Sequence, residues 1–191
     1  MEFLELETSA VKAAKRLLGS VLERQVEGRT IRCRIVETEA YDETDAASHS
    51  YKGRTARNDV MFGPAGYLYV YFTYGMHYCA NVVVGPSGMG AAVLIRAVEP
   101  LGGVDDEMFL GIRRNGKVGV ELTNGPAKLC QALDIDKVLN GHNLSAAPLR
   151  LVLEPPVTAR LIVAAPRIGI REARDVPWRF YLTDNPYVSV K

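Results

Sequence analysis

No apolar run in this 191-residue chain reaches the length of ~18 residues that a membrane-spanning helix needs, so a helical membrane protein is excluded. The opening stretch MEFLELETSA is acidic and has neither the basic start nor the apolar centre of a secretory signal. A cytoplasmic protein is expected. Cysteine is scarce: Cys33, Cys79 and Cys130 lie 46 and 51 residues apart, and no CxxC pair occurs. The histidines His49, His77 and His142 show no ligand spacing. Reduced, buried thiols are therefore expected, rather than a disulfide framework or a metal site. There is also no GxSxG elbow, Walker loop or dinucleotide glycine pattern, which removes the usual supports for acyl transfer, nucleotide hydrolysis and hydride transfer. The glycine-rich GPSGMG stretch has no lysine and leads into no helix. No cofactor is expected.

An excess of one charge is missing as well. Twenty-three basic and 22 acidic side chains leave a net charge of +1, which argues against a generic polyanion binder. The distribution is uneven, however. Residues 1–50 carry 7 basic and 10 acidic side chains and residues 51–191 carry 16 and 12, so the halves stand at −3 and +4. A modest basic face is permitted, and any nucleic-acid contact would need stacking as well as phosphate binding.

What is present is ample core: 48% of the residues are hydrophobic, enough for one domain spanning residues 1–191. Thr8 or Ser9 can cap a short helix whose Val11, Ala14 and Leu18 share a face, with Gly19 as its stop. Val21–Val26 and Ile31–Glu39 read as a hairpin around Glu27-Gly28-Arg29. Residues 41–57 are polar and turn-rich. Strands are expected from Tyr67, over His77–Val84 and over Ala91–Val98, followed by loop or irregular helix at 102–117. Pro126 opens a helix through Leu133. Strand-like pieces follow at Leu149–Leu153, Ile168–Ile170, Trp178–Leu182 and Tyr187–Val190. The pattern is α+β: a central antiparallel or mixed sheet with peripheral short helices.

Two stretches ask for chemistry. In YLYVYFTYGMHY (67–78), Tyr67, Tyr69 and Tyr71 fall on one strand face and Leu68, Val70 and Phe72 on the other. The aliphatic face can line a core. The tip Tyr74-Gly75-Met76 is bulky where a turn is ordinarily polar, which is what a wedge between stacked bases requires. In IRCRIVETE, the face Ile31, Cys33, Ile35 ends in Glu37 and Glu39. A strand that keeps its parity carries Glu39 to the interior rim of the sheet, where it can accept a proton; a strand ending near Val36 leaves both carboxylates solvated. Arg96 closes the apolar run AAVLIRA and can pair with a carboxylate, structurally or catalytically. His49 sits in a Ser-His-Ser loop. Asn81 lies in an apolar strand, where its amide must be hydrogen-bonded or face a pocket.

The runs RIVETEAY, AASHS, RTARNDVMFGPAGYLYVYFTYGMHYCAN, VLIRAVEP, NGPAKLCQAL, PRIGI and WRFY…NPYVSV strongly resemble the alkyladenine (3-methyladenine) DNA glycosylase family, over nearly the whole chain and in the family's order. The resemblance implies a monofunctional enzyme that flips alkylated or deaminated purines out of double-stranded DNA and hydrolyses the N-glycosidic bond. It implies that Glu39 activates water, helped by Arg96 and the backbone carbonyl of Ile168. Tyr41 and Tyr71 would sandwich the base, with His49 hydrogen-bonding nearby and Asn81 shaping the wall. Tyr74 would fill the gap in the duplex, with Met76 and His77 beside it, in a β-hairpin that protrudes and intercalates; Lys128, at a helix start, would touch a phosphate. A monomer without metal is implied. Two other readings remain at this point: a binding module using Tyr69 and Tyr71 as a stacking platform, and a hydrolase of RNA or free nucleosides.

Overall fold

The computed structural model describes residues 3–73 and 75–190. The first helix, α1 (Ala10–Leu17), starts at Ser9, whose hydroxyl accepts from the Lys12 N–H at 3.4 Å. Its buried face is Ala10, Ala13, Ala14 and Leu17, while Val11, expected on that face, is only half-buried. Gly19, at φ 82°, turns the chain into the first strand.

Strands β1 (Val21–Val26) and β2 (Arg29–Tyr41) pair in a register that sets Val26 opposite Arg29. The turn is therefore Glu27-Gly28 alone, both at positive φ (49° and 76°), as a two-residue type I′ hairpin demands. Strands β3 (Leu68–Thr73), β4 (His77–Val83) and β5 (Ala92–Pro100) follow, then α2 (Gly103–Arg113) and α3 (Pro126–Ala132). Last come β6 (Leu149–Val152), β7 (Ile162–Ala165) and β8 (Arg179–Leu182). All pairings are antiparallel, in the order β3-β4-β5-β2-β1-β6, with β8 joining β2 and β7 joining β8. The expected α+β architecture is present.

Three local expectations need correction. Ile168–Ile170 is not a strand: Gly169 sits at φ 77°, which breaks extended pairing. Tyr187–Val190 is turn and coil, whereas Ile162–Ala165, not singled out from the sequence, pairs with β8. Phe72, on the expected core face of β3, is 48% exposed and packs on Tyr78 instead, at 5.0 Å between ring centroids.

The main core lies between the sheet and its helices. The opposite face of β3, β4 and β5 carries a smaller cluster, Met61, Phe62, Tyr69, Val83 and Ala92, with Tyr67 and Tyr71 packed against it. Strand β2 serves both. Up to Ile35 its odd residues Ile31, Cys33 and Ile35 join the main core; beyond Glu37 the even residues do, Ala40 by packing and Thr38 by donating to the Ala14 carbonyl of α1 at 3.0 Å. The switch coincides with an irregular register against β5 between Ile35 and Thr38. On β5 the core-facing residues change in step, from Val98 to Ile95 and Val93. Parity is therefore not kept. The irregularity turns Glu37, Glu39 and Tyr41 away from the main core, toward the tyrosine-bearing face.

Candidate active site

A cleft of about 310 Å³ opens on that second face. Tyr41 comes from the end of β2, Tyr69 and Tyr71 from β3, and Asn81 from β4. Loops add Ala46, Ala47 and His49 on one side and residues 169–172 on the other. The cleft is aromatic because β3 alternates: Leu68 and Val70 enter the core, and the tyrosines between them face the opening.

The rings brace one another. His49 meets Tyr71 edge-on at 4.5 Å between centroids, and its Nδ1 shares a hydrogen bond of 3.0 Å with the Tyr69 hydroxyl. Burial, with Arg57 nearby, lowers the pKa of His49, so the imidazole is neutral at neutral pH. Asn81 donates from its amide to the Tyr69 carbonyl at 3.1 Å, across the β3–β4 pair in which the two residues are opposite.

Beneath the cleft lie two fully buried carboxylates, and their surroundings give them different work. Glu37 is saturated. Its Oε1 accepts from Arg96 Nε (3.1 Å), Arg179 Nη1 (2.9 Å) and the Ser189 hydroxyl (3.0 Å), and its Oε2 from the Ser189 N–H (2.7 Å). Glu39 is held but not saturated. Its Oε1 takes the Ile168 N–H at 2.8 Å and faces Arg96 Nη1 at 3.2 Å; its Oε2 takes only the Tyr41 hydroxyl, at 2.7 Å. Burial, then the charge of Glu39, pushes the Tyr41 phenol up, so it stays protonated and donates. A carboxylate oxygen offers about two acceptor sites, so Oε2 keeps one for a further donor, such as a water molecule. Such a group can take a proton or stabilise a developing cation.

The structure thus brings together Glu39, Arg96, Ile168, Tyr41, His49, Tyr71 and Asn81. At Ile168 it is the N–H, not the carbonyl, that contacts Glu39. Met76 and His77, both exposed at the β3–β4 tip, line a separate groove with Arg113 and the α3 residues Ala127 and Gln131. Tyr74 lies outside the described residues. Lys128 stands in the first turn of α3, but its ammonium is already engaged by Glu121 (3.0 Å) and Asn124 (2.7 Å). All three cysteines are free and buried. No helix among the described residues is long and apolar enough to cross a membrane.

Sequence reasoning assigned no role to Arg167 or Asp45. Arg167 donates bidentately to Asp45 and also to the Ala40 carbonyl at 3.0 Å, tying the 42–50 loop and the 166–172 segment to the end of β2. The available signal was an arginine between Pro166 and Ile168, an apolar setting in which a cation needs a distant acid.

The chain matches known proteins over nearly its whole length. The family model described as methylpurine-DNA glycosylase (MPG) matches residues 4–186. A protein of Carboxydothermus hydrogenoformans is 51% identical over 179 residues, covering 93% of this chain and 92% of its own. One from Desulfitobacterium hafniense is 48% identical over 190 residues (93% and 92%), and one from Nitrosospira multiformis 45% over 186 (97% and 92%). Each carries the name "Putative 3-methyladenine DNA glycosylase". The chain belongs to the methylpurine-DNA glycosylase family, and it is a DNA glycosylase, an enzyme of DNA repair.

Proposed function

We propose that this enzyme flips a damaged purine out of duplex DNA into the aromatic cleft and hydrolyses its N-glycosidic bond with a water activated by Glu39. The observation that carries the reading is the asymmetry of the Glu39 carboxylate. It is fully buried, fixed on Oε1 by Ile168 and Arg96, and has acceptor capacity left on Oε2 beside a cleft that takes a base. Tyr41 and Tyr71 sandwich the purine. Electron-poor alkylated rings such as 3-methyladenine and 7-methylguanine gain from aromatic faces, and hypoxanthine and ethenoadenine fit the same slot. His49 supplies a hydrogen-bonding edge. As the base departs, positive charge grows on the sugar, where anionic Glu39 stabilises it while taking the proton of the attacking water. The hairpin tip enters the duplex, with Tyr74 filling the vacated space and Met76 and His77 alongside; the wedge offsets an unstacking cost of a few kcal/mol.

The product is a free base and an intact abasic strand. Among the described residues no lysine lines the cleft, so a Schiff-base route to strand cleavage has no nucleophile there. On this reading the catalytic unit is a monomer that works without a cofactor.

Glu39→Gln tests the reading. Release of hypoxanthine from a defined duplex should fall by about 10²–10⁴, the usual range for general-base assistance, while lesion-duplex binding stays near wild type. Release within twofold of wild type rules out the role.

A further inference from the structure

We propose that Arg167, paired with Asp45, sets the balance between cationic and neutral damaged purines by acting through the ring of Tyr41. The inference rests on the proposed reading that a flipped base stacks on that ring.

Arg167 is wholly buried at its side chain, and so, at 2% exposure, is that of Asp45. The guanidinium carbon lies 4.7 Å from the Tyr41 centroid and 5.4 Å from that of Trp178. Tyr41 lines the cleft and Arg167 does not, and the guanidinium lies over the Tyr41 ring; on this inference the cation covers the face turned from the cleft. Its Nε has no hydrogen-bond partner, although both terminal nitrogens do.

A cation behind a ring draws π density to the rear face and repels a second cation at the front. A base stacked on the cleft side places its charge roughly 8 Å from the guanidinium, where two unit charges at an effective dielectric of about 20 change an equilibrium by about 30-fold. Asp45, bonded to the same guanidinium, cancels much of this. The pair therefore works as a bias on Tyr41. With Asp45 charged, the ring tolerates a cationic base such as 7-methylguanine; without that charge, it favours neutral ones such as hypoxanthine or ethenoadenine.

The two partners then have opposite signs, which a purely structural pair does not. Asp45→Asn keeps the shape and an acceptor for Arg167 but leaves the cation uncompensated. The ratio of kcat/KM for 7-methylguanine over hypoxanthine, on otherwise identical duplexes, should drop about 10-fold. Arg167→Gln should move that ratio up, and the double variant should return it to near the wild-type value. Dissociation constants of the same duplexes in a Glu39→Gln background should shift in the same direction, which removes the chemical step from the readout. If Arg167→Gln does not fold, Asp45→Asn alone decides. Tyr41→Leu is the control for the underlying reading. Both lesions released at wild-type rates in that variant would overturn the stacking reading and the inference together. Impairment in Tyr41→Leu, with the Asp45→Asn ratio within twofold of wild type, would overturn the inference alone.

Discussion

The two stretches of β2 are made of similar material and do opposite things. Before the irregularity, Ile31, Cys33 and Ile35 fill the main core while Arg32 and Arg34 stand in solvent, paired with Glu23 and Glu99. Those exposed pairs contribute ~1 kcal/mol or less. Beyond it, Thr38 and Ala40 meet α1 and the core, and Glu37, Glu39 and Tyr41 face a second, buried interior. A change of face partway along one strand is what places carboxylates under the cleft rather than in the main apolar core. The charges they bring are balanced from neighbouring strands, by Arg96 of β5 and Arg179 of β8. In the near stretch charge is ornamental to stability; in the far stretch it is an integral part of the fold.

The largest effect that sharpens this contrast comes from comparing the two glutamates. Glu37→Gln removes the charge shared by Arg96 and Arg179, and should lower unfolding stability by about 3–5 kcal/mol, as breaking a buried ion pair does. Glu39→Gln, which leaves Arg96 paired with Glu37, should cost less stability and far more activity. Urea melts and base-release assays on both variants decide it. A Glu37→Gln protein with wild-type stability and no activity would exchange the two roles.

Asn81 gives a smaller, selective effect. Guanine carries an exocyclic amino group at C2, and on the proposed reading the carboxamide held on the cleft wall hinders its entry. Asn81→Ser should raise release of guanine or 7-methylguanine relative to hypoxanthine. Losing the bond to the Tyr69 carbonyl should cost about 1–3 kcal/mol of stability. An unchanged ratio would make Asn81 a structural amide whose place is the β3–β4 pair and nothing more.

How legible all this was depends on how local the cause is. The hairpin, the Ser9 cap, the Pro126 helix start and the tyrosine alternation are written in neighbouring residues, and each formed. Glu39 was legible as a carboxylate ending an apolar face, yet for a reason the structure reverses: it reaches the site because parity is broken, not kept. Nothing in IRCRIVETE marks that irregularity, since it depends on β5 shifting in step. Ile168–Ile170 read as a strand because two β-branched residues suggest one, and the positive φ of Gly169 overrode them. Arg167 was illegible because its acid, Asp45, lies 122 residues away in a loop that otherwise looks solvated. Contacts of that separation are fixed by tertiary packing.

The smallest effect is a pH dependence confined to the far side of the sheet. His49 ordinarily titrates near 6.5, and burial, with Arg57 close by, lowers that value in the folded protein. The folded state therefore binds fewer protons than the unfolded state in this window. Stability from the neutral imidazole is complete above the ordinary value and is lost as pH falls from there through the lower folded value. The near stretch of β2 contains no histidine. Urea melts taken from pH 7.5 down to about 5 should show stability declining on the acid side, and His49→Gln should flatten the decline. The same variant removes the partner of the Tyr69 hydroxyl, so its melt at pH 7.5 reports that hydrogen bond separately. A decline of equal slope in His49→Gln would place the titrating group elsewhere, and the neutral imidazole would then be no part of what holds the cleft open.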